Sequence, residues 1–488
     1  MRSREKAGSV LVWFRNDLRL SDHPALYEAV KSGGPILPLF IWSPEEEGAW
    51  APGAASRWWL HHSLAALRKA FREKGSDLFL LKGPVEKALL KASRESGARK
   101  VFWNRRYEPA ALALEKKLEA SLGRSGLEVR TFSGGLLREP WTVKNQQGGP
   151  YKVFTPFWRS LSSAVTRPPI FPAPEIVGVP AQKPVGSRIE QLGLLPKLDW
   201  AKRFTEYGTP GEEAARKTMR SFLKRAAFRY GTGRDLPAEA GTSRLSACLH
   251  FGEISVRELW SEAMKARARA KDLRAKKNLE AYLRQLGWRE FAYHLLCHFP
   301  RAAREPLRKE FEKFPWRSDA KTLGLWQKGK TGYPIVDAGM RELWQTGWMH
   351  NRVRMIAASF LVKDLGIHWR EGAAWFWDTL VDADLANNTL GWQWVAGCGA
   401  DAAPYFRIFN PVAQGGKFDP EGRYVKKWVP ELSKLPASWV HKPWTAPPDI
   451  LSKAGIGIGK TYPAPVVDHG EARRAALAAY FKMRERCR

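Results

Sequence analysis

The first 135 residues limit the fold most tightly, because short apolar runs return there at intervals. The runs "SVLVWF", "PILPLFIW", "SDLFLL", "ARKVFW" and "LEVRTF" are each long enough for one strand, and helical patterns separate them. Within 56–74, Trp59, Leu60, Leu64, Leu67, Ala70 and Phe71 recur at helical spacing. Strands alternating with helices need crossover connections, so the runs are expected to lie parallel in one sheet. No GxGxxG follows the first run, which removes a nicotinamide-binding fingerprint.

Residues 136–205 change character. "RPPIFPAPEIVGVPAQKPVG" is proline-rich and reads as extended linker. From about residue 206 the strand-like runs fade and long helical periods take over. "NLEAYLRQLGWREFAYHLL" and "MRELWQTGWMHNRVRMIAASFLVKDL" are the clearest amphipathic stretches. The reading is therefore an α/β, Rossmann-like N-terminal domain with a parallel sheet over 1–135, a linker over 136–205, and an all-α domain over 206–488.

Charge narrows the partners. The chain carries 80 Lys and Arg against 49 Asp and Glu, a net charge of +31. Such an excess attracts polyanions, chiefly nucleic acid, in a salt-sensitive way; a generically basic proteome is the bland alternative. Cys248, Cys297, Cys398 and Cys487 lie far apart with no CxxC pair, so no disulfide scaffold, zinc finger or iron–sulfur motif is indicated. No metal site is expected. The apolar run behind the basic "MRSREK" is too short for a signal peptide, and no stretch approaches a membrane span. A reducing cytoplasm fits.

Four segments of the helical half are candidates for chemistry. "GTSRLSACLHFGEIS" places small hydroxyl residues at an expected helix start, which serves either as an anion site or as a plain N-cap. "GKTGYPIVDAGMREL" lacks the upstream glycine of a P-loop and reads as a turn feeding a helix. In "TGWMHNRVRM", Arg352 and Arg354 point to different faces: one can meet solvent and a phosphate while the other turns inward to an acid. "DADLANNTLGWQW" (382–394) packs two acids, two asparagines and two tryptophans into thirteen positions. Asp384, Asn388 and Trp392 recur every four residues, one helical face. Together these segments suggest a pocket with phosphate donors, polar groups and aromatic walls.

The segments "LVWFRNDLRLSDHPAL", "GTSRLS", "WREF", "GKTGYPIVDAGMREL", "GWMHNRVRM", "DADLANN", "GWQW" and "DAAPYFRIFNP" resemble, in order, the photolyase/cryptochrome flavoprotein family. The subgroup most resembled is the bacterial cyclobutane pyrimidine dimer photolyases. The resemblance implies an FAD folded into a U within the helical domain. Tyr230, Thr242, Ser243, Leu245 and Ser246 match positions that hold the FAD phosphates and ribitol, and Arg244, Tyr282 and Arg289 join the cofactor-binding set. Asn351, Arg354, Asp382, Asp384 and Asn388 match positions around the isoalloxazine. Trp288, Met355 and Trp394 match contacts to a flipped dimer, with Asn351 and Gln285 beside it. Arg352, Arg407 and Lys417 match positions near the DNA backbone. Trp392, Trp369 and Trp316 match the chain that feeds electrons to the flavin. The implied partner is double-stranded DNA containing pyrimidine dimers, bound by a monomer that associates with the nucleoid.

Two departures stand out. Dimer photolyases typically have a glutamate three residues before the Trp of "WREF", where this chain has Gln285. "YEPAALALE" (107–115) has Ala110 and Ala111 where folate-binding relatives show Asn-Glu. The antenna is thereby left open between a folate, a deazaflavin, another flavin or none. The rivals to dimer repair are a cryptochrome-like blue-light receptor, a (6-4) photolyase and a non-photochemical flavin oxidoreductase. Neutral Asn388, Met355 in place of a histidine, and the lack of a long tail after "ARRAALAAYFKMRERCR" favour dimer repair.

Overall fold

Five apolar runs become five strands: β1 (Val10–Phe14), β2 (Ile36–Trp42), β3 (Phe79–Lys82), β4 (Lys100–Asn104) and β5 (Glu128–Phe132). All pair in parallel, in the order β3-β2-β1-β4-β5. The computed structural model describes residues 8–166, 168–176 and 178–487; "MRSREK" lies outside them. Central β1 is buried on both faces, which is why its run is apolar throughout. Val10, Val12 and Phe14 enter one core with the Ala54–Glu73 helix, and Leu11 and Trp13 enter another beneath Val85 and Leu89.

The sheet's parallel register sends every strand's C-terminal end to one edge, where open α/β sheets place ligands. The helical half packs there. Leu18 N–H donates to the Phe251 carbonyl at 3.0 Å. Arg257 grips Asp22 with two bonds of 3.0 Å, both side chains being buried. Glu253 is wholly buried and accepts from Trp59 Nε1 at 3.1 Å, Ser63 Oγ at 2.5 Å and Gly211 N at 2.7 Å.

Two readings of local structure change. The 136–205 segment is not extended throughout, because Phe154–Ala164 is a helix that buries Phe154, Phe157, Trp158 and Leu161. Pro156 sits in its first turn, where the missing N–H costs no helical bond. The long amphipathic stretch from Met340 is broken between two helices, Pro334–Thr346 and Asn351–Ser359, the second continuing into a wider π-turn over Phe360–Asp364. Gly347 ends the first at φ +67°, and a Cβ there would meet Val381 Cγ1 at 2.7 Å. A 26-residue helix, Leu273–His298, runs through the helical half and carries "QLGWREF".

Gly252 lies where the halves meet. It takes φ +63°, and an added Cβ would fall on the backbone of Asn16 and Asp17. Gly252→Ala should therefore lower stability by about 1–3 kcal/mol through backbone conformation alone, and further through the clash. Denaturant unfolding of the variant checks this; a wild-type midpoint would show that the two halves can part at this point without cost.

Candidate functional site

Asp384 caps the Leu385–Ala396 helix, its Oδ1 accepting from the Asn387 N–H at 2.9 Å and from Asn387 Nδ2 at 2.7 Å. Its Oδ2 accepts the Tyr293 hydroxyl and faces His250 Nδ1 at 3.4 Å. Burial alone would raise the pKa of this carboxyl, but bonding and charge from His250, with Arg289 and Tyr293, hold it well below the usual carboxylate range. The anion is thus fixed at a helix N-terminus, where the helix dipole also favours it.

Asp382 lies two residues earlier and is buried. Both of its oxygens accept from Arg354 Nη2, at 3.0 and 2.8 Å, while Arg354 Nε donates to the Met349 carbonyl at 2.7 Å. On the following helix Asn388 Nδ2 donates to the Ala373 carbonyl at 3.1 Å, which orients its amide oxygen as the end available to a ligand.

These groups face one cleft of ≈ 1290 Å³, open mouth included. Of the residues singled out in the sequence, it brings together Gln285, Trp288, Arg289, Asn351, Arg354, Met355, Asp382, Asp384, Asn388, Trp392 and Trp394. One part of the lining is polar and charged; Trp288, Met355 and Trp394 make another part aromatic and apolar. Trp288 is stacked on Phe154 with centroids 3.7 Å apart and planes 8° apart, so the connector helix fixes that wall.

Other predicted residues lie outside this lining. Tyr230 and Tyr282 meet edge-on at 5.2 Å, and the Tyr282 hydroxyl is buried beside Ser243. Ser246 Oγ is 3.1 Å from the Tyr207 hydroxyl, which donates to the Arg244 carbonyl at 2.9 Å. Arg244 takes φ +53° with its guanidinium over Trp348. Leu245 is buried, and Thr242 and Ser243 are half-buried. The sequence left open which of Arg352 and Arg354 turns to an acid. Both do: Arg352 Nη2 bonds Asp235 Oδ1 at 2.8 Å and lies over Phe418. Arg407 and Lys417 are exposed. Trp392 is buried against Gly372 and Phe376, Trp369 is buried on the same Trp369–Thr379 helix, and Trp316 is half-buried.

Among the lining residues that sequence reasoning missed are Arg234, Phe376 and Leu380. Arg234 carried a signal, since it stands four after Tyr230 in "YGTGRDL". Phe376 and Leu380 looked like ordinary core.

A second cavity of ≈ 1040 Å³ opens at the C-terminal edge of the sheet. Trp13, Arg15 and Trp42 line it from the strands, and His250, Trp377 and Leu385 from the helical half. Arg106, Glu47 and Glu108 form a charged cluster on its wall, with Arg106 Nη1 to Glu47 at 2.6 Å. Ala110 and Ala111, the departure noted in the sequence, also line it.

Comparison with known proteins fits this geometry. Residues 10–175 match the family model described as DNA photolyase, and residues 282–482 match the FAD binding domain of DNA photolyase. The chain is 50% identical to the deoxyribodipyrimidine photo-lyase of Agrobacterium fabrum, covering 98% of this chain and 99% of that one. It is 39% identical to cryptochrome-2 of Arabidopsis thaliana, covering 97% of this chain and 79% of that one. A bacterial class III photolyase from Agrobacterium tumefaciens superposes with a TM-score of 0.95 at 48% identity, covering 99% of each chain.

The chain belongs to the photolyase/cryptochrome family. FAD is the cofactor of its helical domain. The residues present fit that group: the cleft offers an Arg–Asp pair, three asparagines and apolar walls. No helix among the described residues is long and apolar enough to cross a membrane.

Arg354→Ala would leave the buried Asp382 charge without its partner. We expect a stability loss of about 3 kcal/mol, the low end for such a break because Arg354 is partly open to the cleft. Arg354→Lys should recover the charge but not the two-directional grip. Urea unfolding and the FAD absorbance per protein of both variants measure this; a wild-type midpoint and FAD content for Arg354→Ala would remove the pair from the site.

Proposed function

We propose that this protein is a deoxyribodipyrimidine photo-lyase that splits cyclobutane pyrimidine dimers in double-stranded DNA under blue light. The observation that carries the reading is the shared cleft: flavin-type polar partners and a flat aromatic wall line one cavity. Arg354, Asn388 and the neighbouring cleft residues would hold FAD there, which when bound and reduced would provide the light-excited one-electron donor, recovered with no net redox change.

The chain's own residues do the rest. Arg354, oriented by Asp382 and the Met349 carbonyl, presents positive charge to a reduced flavin ring. Asn388 offers hydrogen bonding without adding negative charge, unlike an acid. A pyrimidine dimer must leave the stack to reach the cleft, as bases do in enzymes that act on them. Trp288, rigid against Phe154, and Trp394 suit its apolar faces. Gln285, on the same wall, donates an N–H to a pyrimidine carbonyl as charge develops. Arg407 and Lys417 take phosphates, which position the duplex without reading sequence. Arg352, already paired with Asp235, holds the local structure and shapes the field more than it contacts phosphate.

Trp392, Trp369 and Trp316 form a path for electrons from the surface to the flavin. Tyr230, Thr242, Ser243, Arg244, Leu245, Ser246, Tyr282 and Arg289 hold the remainder of FAD. Residues 1–135 act as the antenna domain, 136–205 as connector and 206–488 as the catalytic domain, working as a monomer at the nucleoid. The cavity at the sheet edge is the place for a second chromophore. A cryptochrome-like receptor is the second reading, favoured by the identity to the plant cryptochrome.

The deciding assay is loss of thymine dimers from an irradiated oligonucleotide with reduced FAD, in light and in dark. Light-dependent loss supports repair; FAD-loaded protein that restores no thymine would favour the receptor. In that assay Gln285→Glu should raise the yield modestly. Gln285→Leu should lower it more, since a hydrogen bond to developing charge is worth about 1.5–3 kcal/mol. Trp392→Phe should abolish light-driven reduction of oxidised enzyme by an external thiol yet leave repair by pre-reduced enzyme intact. Undiminished photoreduction would reject the tryptophan route.

A further inference from the structure

A histidine packs against two members of the proposed tryptophan path, the middle one and the one farthest from the flavin. His368 precedes Trp369 and caps the Trp369–Thr379 helix, its Nδ1 accepting the Arg370 N–H at 3.0 Å. Its ring centroid lies 5.0 Å from that of Trp316 and 5.6 Å from that of Trp369, the separations of packed aromatic pairs. The two segments that carry these rings are tied together, since the Arg317 N–H donates to the Gly366 carbonyl at 2.8 Å and Arg317 bridges Ile367. The cap commits the Nδ1 lone pair, so in the neutral ring the proton sits on Nε2. Burial, assisted by the Arg370 charge, pushes the imidazole down to about 4, so the ring is uncharged at neutral pH.

We infer that His368 is a positioning residue of the photoreduction path, a neutral ring packed against Trp369 and Trp316 through which one electron passes between them. The inference rests on the tryptophan path proposed above. Electron transfer weakens exponentially with the gap, and less steeply through packed atoms than through water. A cation at this place would raise the energy of an oxidised indole on either side, because like unit charges a few ångströms apart repel strongly in a partly buried site; a neutral ring avoids that penalty. The electron count is simple. Trp369 regains an electron as Trp316 loses one, and Trp316 is then restored by a one-electron donor in solution such as a thiol. His368 is neither oxidised nor reduced.

Two variants separate the ring from the cap. His368→Asn keeps a side-chain acceptor for the Arg370 N–H but removes the ring. His368→Phe keeps a ring but loses the acceptor. With FAD-loaded oxidised protein, a blue flash followed by transient absorption reads the long-lived tryptophan radical, and thermal unfolding reads the cap. We expect His368→Asn to melt near wild type with a radical yield reduced severalfold, and His368→Phe to melt lower with a yield near wild type. A wild-type yield in His368→Asn, or a yield in His368→Phe as low as in His368→Asn, overturns the inference. Trp392→Phe run alongside tells the two ideas apart. If it keeps the wild-type yield, path and inference fall together. If it loses the radical while His368→Asn keeps it, only the role of His368 falls.

Discussion

The buried carboxylate of Asp384 is the constraint on which the site depends. It is held as an anion by His250, Tyr293, Arg289 and the first turn of its own helix. The partners come from separate parts of the helical half: His250 from the segment against the sheet, and Tyr293 and Arg289 together from the long helix that carries Gln285 and Trp288. One group therefore sets where Asn388, Trp392 and Trp394 point and how the long helix faces them. An unpaired buried charge would cost several kcal/mol, so the arrangement is enforced, and its two neighbouring acids divide the work. Asp384 builds the frame, and Asp382 orients the arginine that faces the ligand.

The two halves are joined by the same kind of device. Asp22 with Arg257, and Glu253 with Trp59 and Ser63, are buried polar contacts that cross between the α/β half and the helical half. Such contacts specify one docking geometry more than they add stability. That geometry closes the cavity at the sheet edge, since Trp377 and Leu385 complete its wall from the helical half. Leu385 opens the helix that also lines the cleft, so a chromophore at the sheet edge would stand one helix away from the flavin.

Much of this was legible in the sequence. The inner strands were visible because a parallel sheet buried on both faces demands unbroken apolar runs, and the edge strand β5 followed from its place after a helical pattern. The cleft was visible through "DADLANNTLGWQW", whose acids, amides and indoles make no sense as core or as surface alone. What escaped was long-range. The Phe154–Ala164 helix hid among prolines, and its value lies in stacking on Trp288, 134 positions along the chain. The break at Gly347 depends on close approach to Val381, which no local pattern reports. The Arg352–Asp235 pair spans 117 positions, so a sequence reading could not say that this arginine is already engaged. His368 meets Trp316 across 52 positions (368 − 316), a contact that no local pattern reports.

The central claim is that one cleft takes a flavin against its polar part and a flipped lesion against its aromatic part. The most direct test is dark binding of the FAD-loaded protein to two duplexes at one salt concentration, identical except for a single thymine dimer. Stacking on aromatic side chains is worth about 1–3 kcal/mol per base, so the account predicts at least roughly tenfold tighter binding to the damaged duplex, with most of that preference lost in Trp394→Ala. Equal affinity for the two duplexes, unchanged in Trp394→Ala, would contradict it.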